Sequence, residues 1–214
     1  MAKAQVIFVE GNIGSGKSKF LSQIETYYGD ECQVIYEPVD TWTSLKDERG
    51  VNVLDHFYKD PHKYAYTFQN IAFMSKIKKL DEIDYSKKYV FIERSIWSDK
   101  YIFATNCYLS KLMNEIEYQV YNIWFDWIEK VCRKPESVRF IYLRCSPETS
   151  LTRINKRGRV EETSIPLEYL SQIHDRHEEW VTKDAESFYV IDAEQDLTKQ
   201  GSFTAEYEKF VTIL

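Results

Sequence analysis

No run of apolar residues in the chain approaches the ~20 needed to cross a bilayer, so a membrane-spanning protein is not expected. Positive charge is also in short supply. Lys and Arg number 28 against 34 Asp and Glu, a net charge of −6. A broad nucleic-acid surface needs a positive field and is excluded on that ground; phosphate binding must come from a local basic cluster. Cysteine is limited to Cys32, Cys107, Cys132 and Cys145, widely spaced and without a C-x-x-C pair. That argues against a disulfide framework or a thiolate metal site and fits reduced thiols in a reducing compartment. Few residues precede the first strand-like run, which leaves no room for a signal or transit peptide, and the expected location is cytoplasmic. Glycine is sparse, seven in 214 residues, and no repeat, linker or low-complexity stretch is visible. The expectation is a single domain over 1–214.

Three of those seven glycines crowd into one stretch, Val6-Ile7-Phe8-Val9-Glu10-Gly11-Asn12-Ile13-Gly14-Ser15-Gly16-Lys17-Ser18. It reads as a buried strand, a tight turn and the opening of a helix, and it fits G-x-x-x-x-G-K-[ST]. The spacing has a chemical reason. Successive backbone N–H groups must point inward at phosphate oxygens, and side chains at the turn would block that approach. The helix that follows adds its free N–H groups and positive dipole end. Gly11, Asn12, Ile13, Gly14, Ser15, Gly16, Lys17 and Ser18 therefore form the candidate triphosphate cradle. Lys17 would reach the β- and γ-phosphates, and the Ser18 hydroxyl would ligate Mg²⁺.

Five short apolar runs, Val6–Glu10, Gln33–Glu37, Tyr89–Glu93, Arg139–Leu143 and Phe188–Asp192, alternate with long helix-compatible stretches. The alternation predicts an α/β fold, a five-stranded parallel sheet with helices on both faces. In such sheets ligands sit beyond the carboxyl ends of the strands, where Glu10, Glu37 and Glu93 would gather. Glu37 precedes Pro38 and is read either as a proton acceptor for a substrate hydroxyl or as a solvated strand-end residue. Glu93-Arg94 is either a surface ion pair or a Mg²⁺ and phosphate ligand pair. Pro61 opens a helix toward Asp84, on which Phe68, Ala72 and Lys76 share a side at i, i+4, i+8. Gln69, beside them, is a base-edge reader or a solvent-facing amide.

Arg153, Lys156, Arg157 and Arg159 form the densest basic cluster. They are read as a mobile arginine lid over phosphates, about 153–162, or as a solvated basic face. Val120, Ile123, Trp124, Trp127 and Val131 make a helical stripe within Tyr118 to Lys134, suited to core packing or a dimer face. His174 and His177 lie three apart without a third ligand and read as helix surface. Asp47-Glu48-Arg49-Gly50 matches the D-x-x-G switch pattern but follows no apolar strand, and no N-K-x-D accompanies it; it reads as a turn.

Taken together, GNIGSGKS, YEPVDTW, FYKDPHKYAYTFQNIAFMSK, FIERSIWSDKYIFA, YLRCSPETSLTRINKRGRVEE and IPLEYLSQIHDRHEEW resemble, in order, the deoxyribonucleoside kinases: the deoxycytidine, deoxyguanosine and insect multisubstrate enzymes. The resemblance spans residues 5 to about 192. It implies a P-loop kinase that transfers the γ-phosphate of ATP or another nucleoside triphosphate to the 5′-hydroxyl of a small-molecule deoxynucleoside. It implies Glu37 as general base, Arg94 at the 5′-oxygen and Glu93 at Mg²⁺. Tyr58 and Glu162 would hold the 3′-hydroxyl. Trp42, Phe68 and Phe103 would cradle the base and Gln69 would pair with it, while Arg153, Arg157 and Arg159 would be the lid arginines. A homodimer through the Trp124 and Trp127 region is the family expectation.

Two departures bear on the base. Ala72 and Asp99 match the deoxycytidine and deoxyguanosine branch, but the Arg that normally partners this Asp is Lys76, a point charge without a planar fork. Phe57 stands where relatives often carry Met and would narrow the pocket. A purine or cytosine-type nucleoside is favoured. The alternatives are a thymidylate kinase-like nucleoside monophosphate kinase, which needs cations for an acceptor phosphate, and a non-catalytic nucleotide switch.

Overall fold

The structure is a computed structural model that describes residues 4–131 and 138–195. Within them the strands are β1 (Gln5–Glu10), β2 (Cys32–Ile35), β3 (Tyr89–Glu93), β4 (Val138–Arg144) and β5 (Phe188–Asp192). They form one parallel sheet in the order β2-β3-β1-β4-β5. β1 is central, and Val6 to Glu10 are all buried, as an apolar run covered on both faces requires. From β1 the chain goes to one side for β2 and β3 and to the other for β4 and β5. The carboxyl end of β1 is therefore the switch point at which such sheets bind ligands.

Alternate residues of β1 feed two cores. Ile7 and Val9 pack with Phe20, Leu21 and Ile24 of α1 (Lys17–Tyr28). Val6 and Phe8 pack with Ile173 and Trp180 of α9 (Leu167–Lys183). Each such large side chain, fully buried, contributes about 1.5–3 kcal/mol. Helices on both faces follow from this two-residue period.

A third apolar cluster stands off the sheet and builds the wall of the site. It joins α2 (Val39–Ser44), α3 (Val53–Lys59), α4 (Pro61–Leu80) and α7 (Glu115–Val131) through Trp42, Leu54, Phe57, Phe68, Phe73 and Phe125. After β3 come α5 (Ile96–Ser98), a π-helical stretch Asp99–Ala104 and α6 (Thr105–Leu109). α8 (Pro147–Arg157) follows β4 and ends at Gly158, whose φ of 68° closes the helix. Asp47 to Gly50 is a turn, as expected, tied by Gly50 N–H to Asp47 O at 2.9 Å.

Three expectations change, and one of two alternatives falls. β2 ends at Ile35, so Glu37 does not close a strand; the chain breaks pairing before Pro38, and Val39 N–H turns back onto Glu37 O at 2.8 Å. α4 stops at Leu80 rather than running toward Asp84. His177 is not helix surface. It is fully buried, its ring stacked on Tyr142 with centroids 5.4 Å apart and its Nδ1 donating to Ile173 O at 2.7 Å, and burial pushes its pKa well down. Of the two readings of the α7 stripe the core falls: Ile123, Trp124 and Trp127 are 68%, 51% and 55% exposed, while Tyr121, Phe125 and Ile128 face inward. Cys132, Lys134 and the helix expected toward Leu214 lie outside the described residues, whereas Cys32, Cys107 and Cys145 are buried free thiols.

Candidate active site

The loop between β1 and α1 is shaped by its glycines. Gly14 has φ +79°, and a Cβ there would lie 2.5 Å from Ser150 O of α8. Asn12 braces the loop: its side-chain NH₂ donates to Leu170 O at 2.8 Å, and its Oδ1 accepts from Ile13 N–H at 2.8 Å. Lys17 Nζ folds over the turn onto Asn12 O at 2.9 Å and Gly11 O at 3.2 Å. Burial, then Arg94, pulls its pKa down to about 7. Ser18 Oγ donates to the Glu93 carboxylate at 2.9 and 3.2 Å. Hydroxyl and carboxylate oxygens meeting at the loop are the hard donors Mg²⁺ takes alongside phosphate oxygens, so the residues fit that ion. Among the described residues no cluster of three or more His, Cys, Asp or Glu forms a separate metal site.

Arg94 is the hub behind the loop. It is 3% exposed and holds φ +63°, a left-handed conformation that costs a non-glycine residue about 1–2 kcal/mol. Its surroundings overdetermine it. The backbone N–H donates to Val9 O at 3.0 Å, Nη1 to Gly11 O at 2.8 Å, and Nε pairs with Glu37 Oε1 at 3.1 Å. The guanidinium also sits 4.7 Å from the Phe103 ring centroid. Strain held this firmly is what functional sites display. Glu37 Oε1 is also 3.3 Å from Lys76 Nζ. Burial would raise the Glu37 pKa, but Arg94, Lys76 and Lys17 bring it down to about 2. Lys76 pairs in turn with Asp99, whose pKa burial lifts to about 6 against that pairing.

These groups open onto a cavity of about 200 Å³. Phe57 and Phe68 stack with centroids 4.6 Å apart, Trp42 meets Phe68 edge-on at 5.3 Å, and Trp42 Nε1 is fixed by Ser75 Oγ at 2.9 Å. Gln69 is 1% exposed, not solvent-facing; its NH₂ reaches Cys107 Sγ at 3.7 Å, and its Oε1 has no partner among the described residues. An amide so placed has a free acceptor for a flat ligand's polar edge. The π-helical stretch carries Asp99 and Phe103 into the same wall.

A second cavity of about 620 Å³ lies on the other side of the loop, lined by Gly14 to Ser18, Arg153, Arg157 and Arg159. Arg157 and Arg159 line both cavities and pair with opposite oxygens of buried Glu162, Arg159 at 2.6 Å. Arg153 is tied down, donating to Ser15 O at 3.2 Å, Glu194 O at 3.1 Å and Gln195 O at 3.3 Å.

Glu37, Trp42, Phe57, Tyr58, Phe68, Gln69, Ala72, Lys76, Arg94, Asp99, Phe103 and Glu162 all line the first cavity. Glu10 does not join them. It is buried behind the loop, accepting from Ser95 N–H at 2.8 Å. Gly11 and Asn12 shape the turn from beneath and line neither cavity. Tyr169 of α9, with Tyr36, Val39 and Leu54, completes the cavity, and none of the four stands out in the sequence. Tyr169 lies inside the IPLEYLSQ stretch, so the signal was present but carried no chemistry of its own.

Comparison with known proteins agrees with this geometry. The family model for deoxynucleoside kinase matches residues 7–212. The chain is 41% identical over 194 residues to deoxycytidine kinase of Homo sapiens, covering 82% of this chain and 74% of that protein. It is 33% identical over 210 residues to a probable deoxycytidine kinase of fowlpox virus, covering 97% and 84%. It is 41% identical over 182 residues to mitochondrial thymidine kinase 2 of Homo sapiens, covering 85% and 66%. The match runs from the first strand through the arginine segment to the last strand and beyond, and the chain belongs to the deoxynucleoside kinase family, phosphotransferases that act on deoxynucleosides.

Proposed function

We propose that the chain transfers the γ-phosphate of ATP, or of another nucleoside triphosphate, to the 5′-hydroxyl of a deoxynucleoside with a cytosine or purine base. The observation that carries the reading is a carboxylate, Glu37, held by Arg94 between an aromatic cavity and a phosphate loop. In this reading the nucleoside lies in the first cavity and the triphosphate in the second, and residues 1–214 act as one kinase domain with 153–162 as lid. The 5′-oxygen forms its bond to the γ-phosphorus while the bond from that phosphorus to the β–γ bridging oxygen breaks, and the hydroxyl proton passes to Glu37.

A carboxylate whose pKa is about 2 is a weak base toward an alcohol. It suffices if the proton leaves late, when the oxygen is already bonding to phosphorus and has become acidic. Lys17, Arg94, Arg157 and Arg159 surround the transferring group and stabilise its charge. Ser18 and Glu93 would hold Mg²⁺, which when bound neutralises phosphate charge. Trp42, Phe57, Phe68 and Phe103 would stack the base, Gln69 and Asp99 would accept hydrogen bonds from its amino edge, and Tyr58 and Glu162 would take the 3′-hydroxyl. Buried free thiols favour a reducing compartment such as the cytoplasm.

An acceptor panel tests this: dA, dC, dG and dT against their 5′-monophosphates. Turnover of dC or a purine nucleoside well above dT and above every monophosphate is expected. Preference for a monophosphate would overturn the reading, and clear preference for dT would overturn the base assignment. The exposed α7 residues Ile116, Ile123, Trp124 and Trp127 support a homodimer through that face. A solution mass near the single-chain 25.5 kDa would remove that part.

A further inference from the structure

We propose that Lys76 is a positioning residue for the catalytic carboxylate: with Arg94 it pins Glu37 through Oε1, which leaves Oε2 as the oxygen offered to the acceptor hydroxyl. The proposal rests on the kinase reading above and gives Lys76 a task beyond the base edge.

Glu37 belongs to no strand or helix. It sits in the irregular link between β2 and α2, so regular backbone does not orient its side chain. Its orientation must come from partners. Two cations from separate elements reach the same oxygen: Lys76 Nζ from α4 at 3.3 Å and Arg94 Nε from the end of β3 at 3.1 Å. Lys76 is itself immobilised. It is 5% exposed, ion-paired to Asp99 and flanked by the rings of Trp42 and Phe103, with centroids 5.9 and 6.0 Å from Nζ. Asp99 thus anchors the ammonium that anchors the base. A compact ammonium suits this bridge between two carboxylates, since its three donors can point in separate directions.

The charged and titratable groups facing Glu37 are Arg94 behind β3, Lys17 of α1, Lys76 of α4, Asp99 of the π-helical stretch and Tyr58 of α3. Removing Lys76 removes one of three cations that hold Glu37 down. The base acts deprotonated, so activity is lost as pH falls through its pKa. With Lys76 absent that pKa rises from about 2, while Arg94 and Lys17 still hold the carboxylate charged at pH 7, so a lower rate there reports position rather than protonation.

The test compares Lys76→Met, Lys76→Arg and the double variant Lys76→Met with Asp99→Asn, measuring kcat and nucleoside KM at pH 7 on the full chain. The double variant removes the buried carboxylate that Lys76→Met alone would strand. Both Met variants are expected to lose about 10–100-fold in kcat, the scale of a displaced catalytic group. In Lys76→Met the fall in kcat should exceed the rise in nucleoside KM, and Lys76→Arg should restore most of the rate. Met variants that keep wild-type kcat, with only KM raised, would overturn the proposal and leave Lys76 as a base contact. A wild-type chain that phosphorylates no deoxynucleoside would overturn the kinase reading and this proposal with it, an outcome visible before any variant is made.

Discussion

Glu37→Gln is expected to lower kcat by ~10²–10⁴ and to leave triphosphate affinity within about threefold of wild type. The amide keeps the shape of the side chain but cannot take a proton. The expected split between the two readouts follows from position. Glu37 lines the first cavity and not the second, where the proposed reading puts the donor, so the donor loses no contact. Its cationic neighbours remain anchored without it: Arg94 by Gly11 O, Lys76 by Asp99 and Lys17 by the loop carbonyls. Collapse of the site is therefore not expected, and a lower rate reports chemistry. Single-turnover kinetics with a saturating deoxynucleoside, alongside titration of a non-hydrolysable triphosphate, makes the measurement. A rate within threefold of wild type would take the proton-acceptor role away from Glu37.

Gly14→Ala should cost about 2–4 kcal/mol of stability and about 10²-fold in triphosphate affinity. Two penalties add at this position. The residue holds φ +79°, and the new Cβ would meet Ser150 O at 2.5 Å and Ile154 Cγ1 at 3.0 Å. The first of these is helix backbone and cannot swing aside, so α8 must retreat from the loop. α8 carries Arg153, bonded to Ser15 O, and Arg157, which lines both cavities. Gly16→Ala provides the contrast. Gly16 has φ +101° but open space where its Cβ would lie, so only the dihedral penalty of about 1 kcal/mol applies. Denaturant unfolding and triphosphate titration of both variants check this. Equal losses at the two positions would mean that loop–helix packing does not shape the cradle.

The parts of this protein that were readable in its residues are those written in short-range signals. The strands show as short β-rich apolar runs, and the phosphate loop shows because glycine, lysine and serine must stand at fixed offsets to wrap phosphate. The errors sit where a distant partner decides. Gln33 to Glu37 looked like one strand, but β2 ends at Ile35 and frees Glu37 to be aimed by side chains. His177 looked like surface because spacing along a helix cannot reveal Tyr142 waiting on β4. Helical spacing fits the α7 aromatics to the core and to a dimer face alike, and only the inward turn of Phe125 and Tyr121 excludes the core.

By itself, the sequence determined the α/β class, the place of the glycine-rich loop at the end of the first strand, and the set of side chains proposed for phosphoryl chemistry. Tertiary structure alone decided which oxygen of Glu37 the cations hold, that Arg157 and Arg159 grip Glu162 on the wall between two cavities, and that Gln69 is buried with an open acceptor. The division has one physical cause. Backbone preference and hydrophobic period act over a few residues, whereas a charge or an amide takes its role from whatever the fold packs against it.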